Sequence, residues 1–340
     1  MRTKAMKSAC AAVTMTVFTL VCCRPAVGQA SLKTALDRKE RVAALEKTIP
    51  VLMETAGIPG MSIALIRDGE VVWSRGFGIK NSKTGEPVKD DTVFEAASLT
   101  KPFFAYLVMK FVEDGKLDLD KPLVTYAPMV IEPLQMKDSS MVWREAYETQ
   151  AAVGHDMLSG TRGEFRKRTQ AHAAASLYTT ASDYARFVAA LMNNRGLTKS
   201  TVEKMLTSQI EVEKNVSWSL GFGLERTPNG KAFWQWGDYG IFRSYIVAYP
   251  DKKIGVVYLT NSQNGLSIGQ EILDLAIGGG EDYGLAYLKY ELPRRRSALG
   301  QCRGWSPRRE GGVHPRRGQG ARIQARLSRT RLDRCRVHRG

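Results

Sequence analysis

Residues 94–104 read FEAASLTKPFF, and this stretch decides the fold because it places a serine and a lysine where an apolar helix begins. Ser98 and Lys101 stand three positions apart, so one helical turn directs both side chains the same way. A serine hydroxyl is a weak nucleophile until a neighbouring base takes its proton. A lysine that loses hydrating water has a lowered pKa and can act as that base. The stretch therefore predicts an activated serine, with a solvated helix start as the alternative.

The segments around this stretch predict helices and an antiparallel sheet. Apolar residues at helical spacing indicate a helix over 32–56, and the Asp68-Gly69 turn indicates a hairpin of strands 61–67 and 71–77. Further on, the pattern predicts a helix over 180–194, strands over 217–224, 232–237, 242–249 and 254–259, and a closing helix over 266–277. This order indicates an α+β fold in which helices flank an antiparallel sheet.

The charge of the chain is concentrated at its two ends. Of the net +16, residues 1–30 carry +4 and residues 294–340 carry +13, which leaves −1 for residues 31–293. A nearly neutral body gives no electrostatic reason to expect nucleic-acid binding. The cysteines also lie outside 31–293, so this part offers no disulfide, thiol nucleophile or thiolate metal site. We expect no metal and no cofactor.

The two ends differ in kind from the body, and residues 31–293 are predicted to be the folded domain. Residues 1–30 have the basic start, apolar stretch and small residues of a secretory signal peptide, which predicts a secreted or periplasmic protein. A retained membrane anchor and lipid attachment at Cys22-Cys23 are the alternatives. Residues 294–340 contain 15 Arg and no Lys. This composition favours translation in a wrong reading frame, with a disordered basic tail as the alternative.

Several motifs in a fixed order resemble the serine β-lactamase and penicillin-binding-protein superfamily, closest to the class C type and its esterase relatives. They are the segments 58–78, 94–101, 113–123, 174–187, 234–238, 249–251 and 259–265. The resemblance covers residues 45–128 and 129–292. It implies a β-lactamase/transpeptidase-like fold and a serine hydrolase, in which Ser98 attacks a carbonyl, Lys101 is the base, and water cleaves the acyl-enzyme.

The third motif of this family is a Lys or His, one residue, and a Gly, and here the segment reads Gln235-Trp236-Gly237-Asp238. The resemblance implies that these residues bind substrate and that a backbone N–H near Gly237 joins that of Ser98 in holding the oxyanion. Gln235 stands where the family has a cation for a substrate carboxylate. This change favours neutral esters or amides, or a different anchor. An ordinary aromatic beside a close-packed strand remains the alternative for Trp236-Gly237.

The chain departs from the family in its middle, where the Tyr-x-Asn motif is missing. Segments that the family separates by several dozen residues meet near 128/129, which predicts an internal deletion and a truncated helical region. In the family that tyrosine protonates the leaving group. Tyr126 is a candidate substitute, although it fits the preceding loop better. His155 resembles a family loop and either lines the cleft or, as we expect, has a structural role.

Together these features predict a serine hydrolase that acts on a β-lactam, a D-alanyl peptide or a small ester. The alternative is a catalytically impaired relative that binds peptidoglycan-like ligands or partners, which the missing motif and Gln235 favour. A disrupted gene product without a stable fold is a third possibility. The sequence does not indicate an oligomeric state.

Overall fold

The computed structural model describes residues 37–116, 126–161, 166–280 and 282–288. All of them belong to one compact unit, Met1–Arg295. In chain order the elements are α1 (Arg38–Ala56), β1 (Gly60–Arg67), β2 (Glu70–Gly78), β3 (Phe94–Glu95), α2 (Thr100–Glu113), α3 (Pro128–Ile131), α4 (Tyr147–Gln150), β4 (Tyr178–Thr179), α5 (Ala181–Met192), α6 (Lys199–Met205), β5 (Ile210–Glu213), β6 (Val216–Trp218), β7 (Gly223–Thr227), β8 (Gly230–Asp238), β9 (Arg243–Tyr249), β10 (Ile254–Thr260), α7 (Gly269–Ala276) and α8 (Tyr283–Leu288).

The described strands form an eight-stranded antiparallel sheet in the order β2-β1-β10-β9-β8-β7-β6-β5. The hairpin β1–β2 turns at Asp68 and Gly69, both of which have positive φ, as the Asp-Gly signal predicts. Strand β1 also pairs with β10, so the first and last strands of the sheet in sequence lie side by side. The short strands β3 and β4 form a separate pair at the site described below.

Helices cover both faces of the sheet because alternate residues of its central strands are apolar on both sides. Ala64 and Ile66 of β1 face a core shared with α2 and α5. Ile63 and Leu65 face the opposite core, which is shared with α1, α7 and α8. Strand β9 is buried along its whole length. The α+β fold with helices flanking an antiparallel sheet is therefore confirmed.

The capping residues fix where the two long flanking helices begin. Asp37 accepts from Glu40 N, and Glu40 accepts in return from Asp37 N, which forms a capping box at the start of α1. Thr180 accepts from Asp183 N at the start of α5. Both helices match the sequence predictions within the described residues. Gly57 ends α1 in the left-handed conformation, at φ 64°.

The predicted strand 217–224 is wrong in detail, because the chain makes two strands there. Strands β6 and β7 are separated by a turn at Gly221, whose φ of 95° a continuous strand does not permit. Strand β5 and helices α6 and α8 had no clear periodic signal. They are short, and β5 is exposed along its length.

Several sequence predictions concern residues that the structure does not describe. The signal peptide over 1–30 and the tail over 294–340 lie outside the described residues. The predicted junction at 128/129 falls within α3, which begins at Pro128. Residues 117–125, just before it, are again outside the described part. Within the described residues, no helix is both long and apolar enough to cross a membrane.

Candidate active site

A strained turn presents Ser98 at the start of α2. Ala97 has a φ of 50°, a left-handed conformation that is uncommon for a residue with a Cβ. Residues Ala97–Leu99 form a short 3₁₀ helix that leads directly into α2. The buried side chain of Thr100 holds this turn, since its Oγ1 donates to Ala97 O at 2.6 Å and accepts from Leu177 N at 3.0 Å. The turn that carries Ser98 is thus tied by Thr100 both to its own backbone at Ala97 and to the distant backbone of Leu177.

Lys101 lies against Ser98. The Nζ atom is 2.6 Å from Ser98 Oγ and also donates to Ala174 O at 3.3 Å. Partial burial lowers the pKa of Lys101, because the ammonium loses hydrating water. Among the described residues no carboxylate forms an ion pair with Lys101 that would oppose this shift. The side chain remains open to solvent, so the shift is that of a partly screened group.

Strand β8 runs directly beside the serine turn. A Cβ placed on Gly237 would lie 2.3 Å from Ala96 O, so only glycine permits this approach. Ser244 on β9 donates from its Oγ to the same carbonyl at 3.3 Å. The end of β8 and strand β9 are therefore packed against Ala96, two positions before Ser98.

Beyond Trp234, strand β8 has no strand partner on its β7 side among the described residues. The register of β7 with β8 ends at the pair Gly223–Trp234, whereas β9 pairs with β8 as far as Asp238. Tyr239 N donates toward β9, to Phe242 O, so the N–H groups of Trp236 and Asp238 point to the other side. Trp236 N donates to Gln235 Oε1 at 3.1 Å. The N–H of Asp238 is the strand donor nearest to Gly237 on this edge.

Gln235 lies on the same face of β8 as Gly237 but is almost completely buried. Its Nε2 donates to Gly221 O at 3.4 Å, and its Oε1 accepts from Trp236 N. Gly221 in turn packs against Lys101 O and the first turn of α2. Gln235 thus links β8 to the turn at Gly221, which lies against Lys101 O, and both ends of its amide are used within the protein.

The side chains of Trp236 and Asp238 contact other residues of the sheet. The Trp236 ring packs with Trp218 and Trp234, at centroid distances of 5.8 and 5.9 Å, on the face of the sheet opposite to Gly237. Asp238 forms an ion pair with Arg243 on the adjacent strand. Of the four residues of this motif, Gly237 and the backbone of its neighbours lie closest to Ser98.

The structure places Tyr126 and His155 away from the Ser98–Lys101 pair. The Tyr126 ring packs on Phe111, near the end of α2, with centroids 4.2 Å apart. His155 is fully buried, its Nε2 accepts from Ser82 N at 3.1 Å, and its Nδ1 donates to Asn261 O at 3.0 Å. Burial lowers the pKa of this imidazole. The expected structural role of His155 agrees with this arrangement.

Three residues that shape the site were not singled out by sequence reasoning. Thr100 holds the serine turn, Ser244 holds β8 against it, and Tyr184 of α5 donates to Leu99 O at 2.8 Å. The sequence feature that could have indicated these residues is a polar side chain among apolar neighbours. The identity of their partners depends on contacts between distant parts of the chain. Within the described residues, no group of three or more His, Cys, Asp or Glu is arranged to hold a metal ion.

Comparison with known proteins identifies the family. The β-lactamase family model matches residues 45–132 and 129–277. The chain therefore belongs to the β-lactamase family. The match consists of two segments, which overlap at residues 129–132.

Curated relatives include both esterases and β-lactamases. Esterase EstB of Burkholderia gladioli is 31% identical over 94 residues, which are 28% of this chain and 24% of that protein. A β-lactamase of Yersinia enterocolitica is 30% identical over 115 residues, 34% of this chain and 29% of the relative. The chain spans less than a third of the length of these relatives. The serine hydrolase type of the family is nevertheless common to both.

Solved structures share the fold. The octameric penicillin-binding protein homologue from Pyrococcus abyssi superposes with a TM-score of 0.59 at 21% identity, over 75% of this chain and 78% of that one. The D-alanine carboxypeptidase AmpC from Burkholderia cenocepacia gives 0.57 at 18% identity, over 71% and 98%. The β-lactamase and penicillin-binding-protein superfamily recognised from the motifs is thus confirmed.

Proposed function

We propose that this protein is a serine hydrolase that works through an acyl-enzyme on Ser98, with Lys101 as the base. The observation that carries the proposal is the 2.6 Å separation between Lys101 Nζ and Ser98 Oγ. The lowered pKa of Lys101 raises the fraction of neutral amine, which is the form that accepts a proton. Membership of the β-lactamase family supports the same chemistry.

In the first step the proton of Ser98 Oγ passes to neutral Lys101 Nζ while Oγ forms a bond to the substrate carbonyl carbon. The negative charge that develops on the carbonyl oxygen lies between the N–H groups of Ser98 and Asp238. The tetrahedral species collapses, the bond to the leaving group breaks, and Lys101 returns its proton to that group. Water then attacks the ester on Ser98 with Lys101 again as base, which releases the acid and restores the serine.

The substrate class of this proposal is an activated or unhindered acyl group: a β-lactam, a D-alanyl peptide or a small ester. The named relatives include an esterase, a β-lactamase and, by fold, a D-alanine carboxypeptidase. Secretion or export to the periplasm is proposed from residues 1–30.

The test is covalent labelling of the full chain with a fluorescent penicillin and, separately, with a fluorophosphonate, read by intact mass. We expect one adduct on the parent protein and none on Ser98→Ala. Ser244→Ala is not a suitable control because it touches the serine turn, so Ser82→Ala, which retains the backbone N–H that bonds His155, is the matched variant. Labelling that persists in Ser98→Ala, or its absence from a cooperatively folded parent, would refute the proposal.

A second candidate function, binding with little turnover, is favoured by one observation. Within the described residues, the hydrogen-bond partners of Lys101 Nζ are Ser98 Oγ and Ala174 O, and neither is a tyrosine hydroxyl. Residues that act as a unit lose activity together when one is missing. A fluorescent penicillin that forms an adduct stable for hours, without release of product, would select this alternative over a hydrolase that turns over.

A further inference from the structure

Two arginines converge on one tyrosine beside the candidate active site. The Cζ atoms of Arg166 and Arg168 lie 4.2 and 5.3 Å from the centroid of the Tyr239 ring. Arg168 also donates from Nη2 to Tyr239 Oη. Two guanidinium groups that share one ring repel each other, and a nearby anion would offset this repulsion.

This cluster of Arg166, Arg168 and Tyr239 is tied to the loop that contacts the catalytic lysine. Tyr239 directly follows β8 and donates from Oη to Ala175 O at 2.7 Å. Lys101 Nζ donates to the preceding carbonyl, Ala174 O, at 3.3 Å. Tyr239, on which the two arginines stack, and Lys101 therefore donate to adjacent carbonyls of the same short segment.

A second set of contacts ties the cluster to the strand that leads into the nucleophile. Tyr178 on β4 donates from Oη to Arg166 O and accepts from Arg168 N at 3.3 Å. Tyr178 pairs with Glu95 on β3, three residues before Ser98. Segment 166–168 is thus positioned by the same backbone that positions the serine.

The cluster has more positive charge than its acidic neighbour can balance. Within the residues that the structure describes, one carboxylate, Glu95, pairs with the two guanidinium groups, with its Oε2 4.0 Å from Arg166 Nε. Burial raises the pKa of Glu95, and the two arginines oppose this rise. Among the described residues that surround the cluster, even a fully ionised Glu95 leaves one positive charge over. Asp238, the next acidic side chain along β8, is engaged by Arg243.

Hydrogen-bond donors of the cluster also remain unused. Arg168 Nε is buried without a hydrogen-bond partner among the described residues, which is unfavourable for a charged group. The Arg166 side chain is 42% exposed and so is accessible to a ligand from solvent. A guanidinium offers paired N–H groups that match the two oxygens of a carboxylate.

We propose that Arg166 and Arg168, stacked on Tyr239, bind a carboxylate of the acyl substrate that reacts at Ser98. This inference rests on the proposed function and names its substrate class, anionic acyl compounds. It also supplies the anchor that Gln235 does not provide, because that amide is buried and engaged with Gly221. Tyr239 holds the two guanidinium groups side by side and orients them as one site.

The test separates binding of the carboxylate from acyl chemistry. The full chain carrying Ser98→Ala is titrated calorimetrically with benzylpenicillin and with its methyl ester, which differ by one negative charge. We expect the acid to bind about tenfold more tightly than the ester, and added salt to reduce this preference. Adding Arg166→Gln and Arg168→Gln should reduce the preference to about twofold or less.

Lys167 provides the matched control because it lies between the two arginines but pairs with Glu148, at 2.5 Å. Lys167→Gln removes the same charge and should retain the preference. Arg166→Gln alone leaves the Arg168–Tyr239 contact in place and should remove part of the preference for the acid. This single variant also shows whether the loss in the double variant results from a folding defect. Equal affinity for acid and ester, no binding of the acid, or a preference that survives both substitutions overturns the inference. Because Ser98→Ala cannot be acylated, these binding results can be interpreted even if the labelling test above fails.

Discussion

Gly237 packs so closely on Ala96 that a side chain at position 237 would overlap the Ala96 carbonyl. A Cβ there would be 2.3 Å from Ala96 O and 2.2 Å from Ser244 Oγ. The glycine thus sets the distance between the edge of β8 and the serine turn. Strand N–H groups act on a developing oxyanion only when they lie within hydrogen-bond reach of it, so this packing bears directly on catalysis.

Gly237→Ala should slow acylation by fluorophosphonate about tenfold or more, since β8 must move away from Ser98 to admit the methyl group. The measurement is the second-order rate of adduct formation. Gly160→Ala is the control, because a Cβ there meets its nearest atom, Asp156 Oδ1, at an ordinary 3.4 Å. Equal rates in Gly237→Ala and the parent would show that β8 does not contribute to the site.

Thr100→Val should destabilise the fold by about 1–3 kcal/mol, because Leu177 N loses its acceptor in a buried region. Urea denaturation measures the loss. Thr55→Val, which removes a similar but solvent-exposed hydroxyl bond to Val51 O at a half-buried position of α1, should cost about 0.5 kcal/mol or less. If the two variants lose the same stability, Thr100 does not hold the serine turn.

Acylation should increase with pH, because only the neutral amine of Lys101 accepts the Ser98 proton. Burial lowers the pKa of Lys101 from 10.5, so the midpoint of the rate profile should fall below that value. Lys101→Met should reduce the rate about 100-fold or more and abolish the rise. Lys110→Met, on the same helix but paired with Asp114, should retain both the parent rate and its increase with pH. A pH-independent rate in the parent would contradict the role of Lys101 as base.

A buried carboxyl pair fastens α8 to the sheet. Glu225 on β7 accepts from Gly284 N at 3.0 Å, while Asp282 accepts from Tyr245 Oη at 2.7 Å and from Leu285 N at 2.6 Å. Burial raises the pKa of Glu225, and the nearby Asp282 raises it further. Burial also raises the pKa of Asp282. The folded state therefore holds protons here that the unfolded chain releases at lower pH.

The free energy of unfolding should fall as the pH rises above the ordinary carboxyl range of about 4. An acid with a raised pKa in the folded state stabilises it fully below the unfolded pKa and loses that contribution as the pH passes through the folded value. Glu225→Gln should make the profile flatter at neutral pH. Glu211→Gln, an exposed position on β5, should follow the parent. Urea denaturation at a series of pH values measures the free energy of unfolding of each variant. Parallel pH profiles for the parent and Glu225→Gln would contradict the prediction.

Local patterns predicted much of the fold. The Asp68-Gly69 turn, the cap at Thr180 and the periodicity of α1 involve neighbours in sequence, and each element formed where its pattern indicated. The turn at Gly221 was missed because a short apolar run does not reveal a break without its partners. The helix at Ser98–Lys101 was predicted from its apolar run, but the neighbouring elements decide which side is covered, so that Phe103 and Tyr106 are buried whereas Phe104 is only partly buried.

The sequence by itself predicted the Ser98–Lys101 contact, because a spacing of three positions places both side chains on one helical turn, and the contacts of Thr100 hold that turn in place. It also determined the family, through motifs in a fixed order. Only the tertiary structure decided that Trp236 faces away from Ser98, that His155 uses both ring nitrogens internally, and that Arg166 and Arg168 meet Tyr239. These outcomes depend on contacts between residues far apart in the chain, whose free energies arise only once the sheet and its helices have packed.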